Sequence, residues 1–238
     1  MKIIVAILLA LCLCGCGRTE EPGTQPVPTQ TETVAATEPT LTPEGYYVYS
    51  YTWMDGTIVT KHRIGSKKGV LVWEKYEYTD GSGYEKTYND QGELVQRCEI
   101  CVKSDGTVEK TFWDAEDWLE GIMEREADGS YYEQWYTKTE NGQQLKKSAT
   151  EDPAIGRKTY WEFYENGNVK YQFIETKEYT EEIKKDEEGY CTYYYYSDED
   201  GYSVECTADE TGRLVKGILM GNEVTDLAVW AEEYNFRS

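Results

Sequence analysis

Turn-forming residues recur about every twelve positions along most of the chain, and that spacing leaves room for little except short strands joined by tight turns. Asp-Gly occurs at Asp55-Gly56, Asp80-Gly81, Asp105-Gly106, Asp128-Gly129 and Asp200-Gly201, the first three 25 residues apart. A second series falls between them: Gly69, Gly92, Asp117, Gly142, Gly167, Gly189 and Gly212. Asp117 takes a glycine's place, and Asp is among the few other residues that tolerate positive φ. Asp152-Pro153 and the region of Lys177 fill the two remaining slots of the first series.

The runs between turns read as strands. Two places after each second-series turn the residue is usually apolar, as at Leu71, Leu94, Leu119, Val169, Cys191 and Leu214. Alternation then sets Leu94, Cys98 and Ile100 against Glu93, Arg97 and Glu99, and Val169, Tyr171 and Phe173 against Asn168, Lys170 and Gln172. A period of two with one apolar side marks a half-buried strand. Tyr193–Tyr196 is aromatic at both parities, so that strand is expected to be covered on both sides or to bind something. The fold class that follows is all-β: a long antiparallel meander of about fourteen strands, in roughly seven two-strand repeats of 22–25 residues. With 22 Tyr and 7 Trp, its core must rest on rings and β-branched side chains, which suit strands. Thr225 is placed to N-cap a short helix with Leu227, Trp230, Ala231 and Tyr234 on one face, closing the open end of the array.

Tyr88-Asn89-Asp90-Gln91-Gly92-Glu93-Leu94, Trp113-Asp114-Ala115-Glu116-Asp117-Trp118-Leu119 and Asp209-Glu210-Thr211-Gly212-Arg213-Leu214 resemble the YD repeats of RHS proteins. Tyr164-Glu165-Asn166-Gly167-Asn168-Val169-Lys170 is similar to MORN-variant repeats. Together these cover most of residues 51–220. The resemblance implies a β-hairpin array with a scaffold or binding role and no catalytic residues to carry over. The chain is far shorter than the shell-forming RHS proteins.

The first sixteen residues point to export. Lys2 precedes an apolar run, Ile3–Leu13, that is too short to span a bilayer and fits the hydrophobic region of a secretory signal. Leu13-Cys14-Gly15-Cys16 resembles the bacterial lipobox. That resemblance implies cleavage before Cys16, a diacylglyceryl group on its thiol, and acylation of the new N-terminus, and hence a firm anchor. The expected organisation is a signal peptide over residues 1–15, a linker over 16–45, a repeat domain over 46–222 and a capping segment over 223–238. The linker holds five of the six prolines and no aromatic residue before Tyr46, so it is expected to be disordered and extended.

Charge narrows the partners. Lys+Arg number 24 against 45 Asp+Glu, a formal net charge of −21, which disfavours nucleic acid and anionic head groups. The membrane is expected as a partner only through the lipid; an envelope protein or a cell-wall glycan is the expected ligand. Cys98 and Cys101 form C-x-x-C within a strand pattern, where redox chemistry lacks its helix N-terminus. If the last first-series loop runs from Ser197 to Asp200, Tyr196 faces Gly201 and Cys191 faces Cys206, an expected disulfide. No EF-hand spacing supports calcium, no ligand spacing supports zinc, and no cofactor is expected. His62, the lone histidine, reads as an exposed strand residue, and no nucleophile context accompanies it. The chain is therefore read as a non-enzymatic, membrane-anchored surface lipoprotein carrying a binding or scaffold module. The alternatives are a glycan-binding module using exposed Tyr and Trp and, behind it, a lipid-tethered hydrolase. The organism, the ligand and the oligomeric state do not follow from the sequence.

Overall fold

The computed structural model describes residues 33–140 and 142–237. The signal peptide, Cys16 and most of the linker lie outside the described residues.

The chain is all-β, and among the described residues helix is confined to one C-terminal element. Two short strands come first, β1 (Thr33–Ala36) and β2 (Thr40–Leu41). The long strands follow: β3 (Tyr46–Trp53), β4 (Ile58–Ile64), β5 (Val70–Glu77), β6 (Gly83–Tyr88), β7 (Leu94–Val102), β8 (Val108–Asp114), β9 (Leu119–Arg125) and β10 (Tyr131–Thr139). The series continues with β11 (Gly142–Asp152), β12 (Arg157–Phe163), β13 (Val169–Glu175), β14 (Tyr179–Lys185), β15 (Cys191–Asp198), β16 (Ser203–Ala208) and β17 (Leu214–Leu219). β18 (Asn222–Glu223) and α1 (Leu227–Glu233) end it. From β2 onward each strand pairs antiparallel with the next, giving one meander, and β1 pairs with β3 beside β2.

One turn geometry builds most of it. In Trp53–Thr57 the Trp53 amide donates to the Thr57 carbonyl at 2.9 Å and the Gly56 amide to the Trp53 carbonyl at 3.0 Å. The same frame recurs around Gly81, Gly92, Gly106, Asp117, Gly129, Gly167, Gly189, Gly201 and Gly212. This is a three-residue loop whose last residue is left-handed. Asp117 occupies that position with φ +67°, as the glycine spacing requires. A side chain caps each frame from one of two places. In the first series it is usually the Asp before the glycine, as where Asp105 accepts from the Thr107 amide at 2.9 Å, although at Gly201 it is Asp198, the first residue. In the second it is usually the first residue, as where Asp114 accepts from the Trp118 amide at 2.9 Å. Asp152–Arg157 closes a longer loop, and Thr176–Tyr179 a two-residue one, at the two weaker slots.

The hairpins differ in a second respect. Each second-series hairpin carries a register shift, with one extra residue shortly after its turn opposite His62/Arg63, Thr87/Tyr88, Phe112/Trp113, Trp135/Tyr136, Glu162/Phe163, Lys184/Lys185 and Thr207/Ala208. First-series hairpins pair without one. A bulge inserts one residue and moves what precedes it to the other face. Leu94 pairs with Tyr88 while Cys98 pairs with Glu85, so Leu94 does not share a face with Cys98 and Ile100. Val169 is separated from Tyr171 and Phe173 in the same way. The alternation expected along these strands is thus corrected by a bulge that has no residue signature of its own.

The two faces are unequal. On one, Cys191, Val204, Cys206 and Leu214 form a buried cluster with Ala231 of α1 and Phe236, flanked by Tyr194, Tyr196 and Trp230. This is the helix face. Cys191 joins it despite its odd parity because of the β14–β15 bulge. Asp226, not Thr225, caps the helix, accepting from the Val229 amide at 3.4 Å. Beyond α1, side-chain contacts join strands one or two apart in the meander, as where Gln96 donates to Glu120 at 2.6 Å. Few side chains are therefore fully buried, and rings supply the contacts that a second layer would give.

Two further expectations need correction. The linker does not extend to residue 45: β1 and β2 cover the open edge of β3, and Thr37 both donates to the Ser50 carbonyl (3.1 Å) and accepts from its amide (2.8 Å). Covering an edge removes a row of unpaired amides and carbonyls. The expected register of the β15–β16 hairpin also fails. Its loop is Glu199-Asp200-Gly201, closed by the Asp198 amide donating to the Tyr202 carbonyl, because Gly201 takes the left-handed position at φ +87°. Tyr194, not Cys191, therefore faces Cys206, and Cys191 and Cys206 are both free thiols.

Candidate functional site

Rings concentrate on both faces of β3–β6, and the two sets differ in chemistry. On the helix face a chain of ring contacts runs Tyr49–Tyr51–Trp53–Tyr76–Tyr84, with centroids 6.4, 6.4, 5.7 and 4.3 Å apart. The interplanar angles are 19°, 46°, 62° and 18°, so the row is not a coplanar platform. It is also occupied by the protein's own cations. Lys61 lies 5.9 Å from the Tyr76 ring, Lys86 lies 5.2 Å from the Tyr84 ring, and Arg63 donates to the Tyr49 hydroxyl at 3.2 Å.

At the centre of that set is Glu74, a buried carboxylate. It accepts from the Tyr88 hydroxyl at 2.6 Å and the Tyr76 hydroxyl at 3.3 Å, and lies 3.1 Å from the Lys61 ammonium. Burial pushes its pKa up, but the Tyr88 hydrogen bond and Lys61 outweigh this, and it stays below the ordinary glutamate value. Its lone pairs are spent inside the protein. This face reads as cross-strand packing.

The other face holds a cleft of about 500 Å³ at the second-series end of the same strands, a volume in the range of small-molecule sites. Tyr46, His62, Ile64, Val72, Trp73, Thr87, Tyr88 and Asp90 line it, and of these Thr87 and Asp90 are exposed at its rim. Pairing explains the convergence: Val48 faces His62 and His62 faces Trp73 across β3, β4 and β5, while the β6–β7 turn brings in Asp90. The His62 and Trp73 rings are 4.6 Å apart at 53°, and Tyr46 is 6.2 Å from His62 at 36°. His62 is half-buried rather than exposed, and burial holds its pKa below the ordinary histidine value, so the ring is neutral at neutral pH. Among the described residues, no side-chain hydrogen bond or ion pair engages His62, Thr87 or Asp90 within the chain. The cleft thus combines aromatic surface with unspent hydrogen-bonding capacity.

Other groups named by the sequence fall elsewhere. Cys98 is buried, and burial pushes its thiol up to about 12; Cys101, three places on, belongs to the other face of β7. Cys191 and Cys206 lie in the core under α1, their thiols pushed by burial up to about 11 and about 12. Tyr193 and Tyr194 separate to the two faces, the former beneath Lys184 at 4.8 Å and the latter stacked on Tyr234 at 4.5 Å. Glu109 and Glu124 do face each other across β8 and β9, but on open sheet, each about one-third exposed and both beside Lys103. No group of three or more metal-ligating side chains occurs among the described residues, and no described helix is long and apolar enough to cross a membrane.

Sequence reasoning did not find the cleft. Tyr46 opens the domain, His62 reads in the sequence as an exposed strand residue, and Trp73 and Asp90 belong to different repeats. Only the pairing of four strands brings them together, and the spacing of 11 residues between His62 and Trp73 carries no motif. No protein-family model matches the chain, and no curated protein matches it either.

Proposed function

We propose that the chain is an exported, lipid-anchored and non-enzymatic binding module, held at the membrane through Cys16 and binding its ligand in the Tyr46–His62–Trp73 cleft. The lipobox-like Leu13-Cys14-Gly15-Cys16 and the apolar run before it support the anchor. The proline-rich stretch after it suits a spacer that holds the sheet away from lipid.

The observation that carries the binding part is a concave cleft of rings with unengaged polar groups beside them. Binding sites are mostly apolar and concave, with a few polar groups that fix orientation. On the opposite face of the same strands the central acid, Glu74, is engaged internally by Lys61, Tyr76 and Tyr88.

Two measurements test this. Full-length protein expressed in a bacterial host partitions into detergent phase, and Cys16→Ser moves it to the aqueous phase; equal partitioning refutes the anchor. Full-length Cys16→Ser protein sediments with isolated bacterial envelopes, and Trp73→Ala added to it abolishes sedimentation. Retention that is indifferent to Trp73 refutes the cleft as the binding site.

A further inference from the structure

We propose that the cleft takes a neutral sugar ring of a glycan chain, stacked on Trp73 and hydrogen-bonded by Asp90, Thr87 and His62. The inference rests on the reading of the cleft as a ligand site and names the class of ligand.

Three observations lead to it. The first is the kind of apolar surface. Tyr46, His62 and Trp73 offer rings more than aliphatic chains, and His62 packs against Trp73 at 4.6 Å, so the two rings form one continuous aromatic wall of the cleft. The C–H face of a pyranose is apolar and packs against the negative face of an aromatic ring. The second is the state of the rim. Asp90 and Thr87 are exposed and make no side-chain hydrogen bond or ion pair within the chain, so water occupies them in the free protein. Sugar hydroxyls replace that water group for group, at little cost in unmet hydrogen bonds. Neutral His62 supplies one ring nitrogen as donor and one as acceptor, a pairing suited to a hydroxyl, which both donates and accepts.

The third is what the position excludes. An extended peptide usually docks by adding to a free sheet edge. This cleft lies on the face of four strands, each hydrogen-bonded on both sides, so main-chain pairing is not on offer. A polyanion meets Asp90 at the rim and a chain of net charge −21 behind it. What remains is a ligand with an apolar face, many hydroxyls and no charge.

The test is titration calorimetry of the full-length Cys16→Ser protein with chitotetraose, cellotetraose and maltotetraose, alongside a glycan array. At least one neutral oligosaccharide binds. Trp73→Ala weakens it at least tenfold, Trp73→Phe retains part of it, and Asp90→Ala weakens it several-fold. Tyr84→Ala, on the other face, leaves it unchanged. Circular dichroism confirms that each variant is folded. Absence of binding to every probe, or binding that survives Trp73→Ala, overturns the proposal. Envelope sedimentation separates the two readings. Retention that depends on Trp73 but is destroyed by protease treatment of the envelopes overturns the glycan and leaves the cleft as a protein-binding site. Retention on protease-stripped envelopes that Trp73→Ala abolishes supports the glycan.

Discussion

The Tyr88 hydroxyl donates to the Glu74 carboxylate at 2.6 Å while the Lys61 ammonium lies 3.1 Å from it, so one buried acid ties β4, β5 and β6 together. Removing one partner of such a pair leaves the other charged and poorly solvated, at a cost of about 3–5 kcal/mol. Glu74→Ala is expected to destabilise by about that amount in urea titration. Replacing both partners, as Glu74→Leu with Lys61→Met, is expected to recover most of it, because no charge is then stranded. Equal losses in the single and double variants would show that the pair contributes through packing alone.

Acid should weaken the fold in two stages. His62 has a lowered folded pKa because burial disfavours its charged form. Below the unfolded value of 6.5 the unfolded chain therefore binds the extra proton, and stability falls with pH until the folded pKa is passed. Glu74, Glu133, Asp105, Asp128 and Asp209 also have lowered folded pKa values. The stability they contribute is present above the unfolded carboxyl values and is lost as pH falls through the folded ones. Urea midpoints from pH 8 to pH 3 should show a first decline starting near 6.5 and a steeper one below about 4.5. His62→Phe should remove the first decline alone.

Gly121 marks where the sheet has no room. A Cβ built there lies 2.6 Å from Cε3 of the Trp135 ring, which stands opposite it on β10 and contacts Phe112 at 4.9 Å. Overpacking of this kind costs about 1–3 kcal/mol. Gly121→Ala should lower the melting temperature and shift the tryptophan emission. Gly45→Ala, where nothing lies within 4 Å, lacks that clash and pays only for its φ of +88°.

The meander was legible because its turns are written locally. Asp-Gly, and Asp117 in place of glycine, name the left-handed residue of each hairpin with no reference to tertiary contacts. Registers were less legible, because the same Asp-Gly suits loops of different lengths; at Gly201 a loop of Glu199-Asp200-Gly201 replaces the four-residue one expected, and every pair beyond it moves. The second-series bulges were invisible for another reason: an inserted residue such as Val95 or Lys170 has no special chemistry. The edge strands arise from Thr33–Leu41, whose composition favours disorder and whose order comes from pairing with β3. The cleft was the least legible, since Tyr46, His62, Trp73 and Asp90 lie in separate runs and meet only through correct registers.

The corrected register makes a sharp statement about Cys191 and Cys206. Both are buried thiols beneath α1, with the Cys191 amide donating to the Asn235 carbonyl at 2.8 Å and Tyr234 stacked on the neighbouring Tyr194. Burial pushes the two thiols up to about 11 and about 12, so almost no thiolate is present at pH 8. Full-length protein is therefore expected to resist maleimide at both positions while folded. It should take up one label at each in denaturant without reductant. Ending the chain before Asp226 removes α1, Asn235 and the Arg237–Asp186 ion pair of 2.7 Å together. That should raise the labelling rate of both thiols by about tenfold or more, as a locally opened edge exchanges with solvent. Cys98, on β7 and without contact to α1, serves as the internal control and should label at its original rate. Peptide mapping that recovers Cys191 linked to Cys206 from the folded protein would contradict the free, buried state of the two thiols.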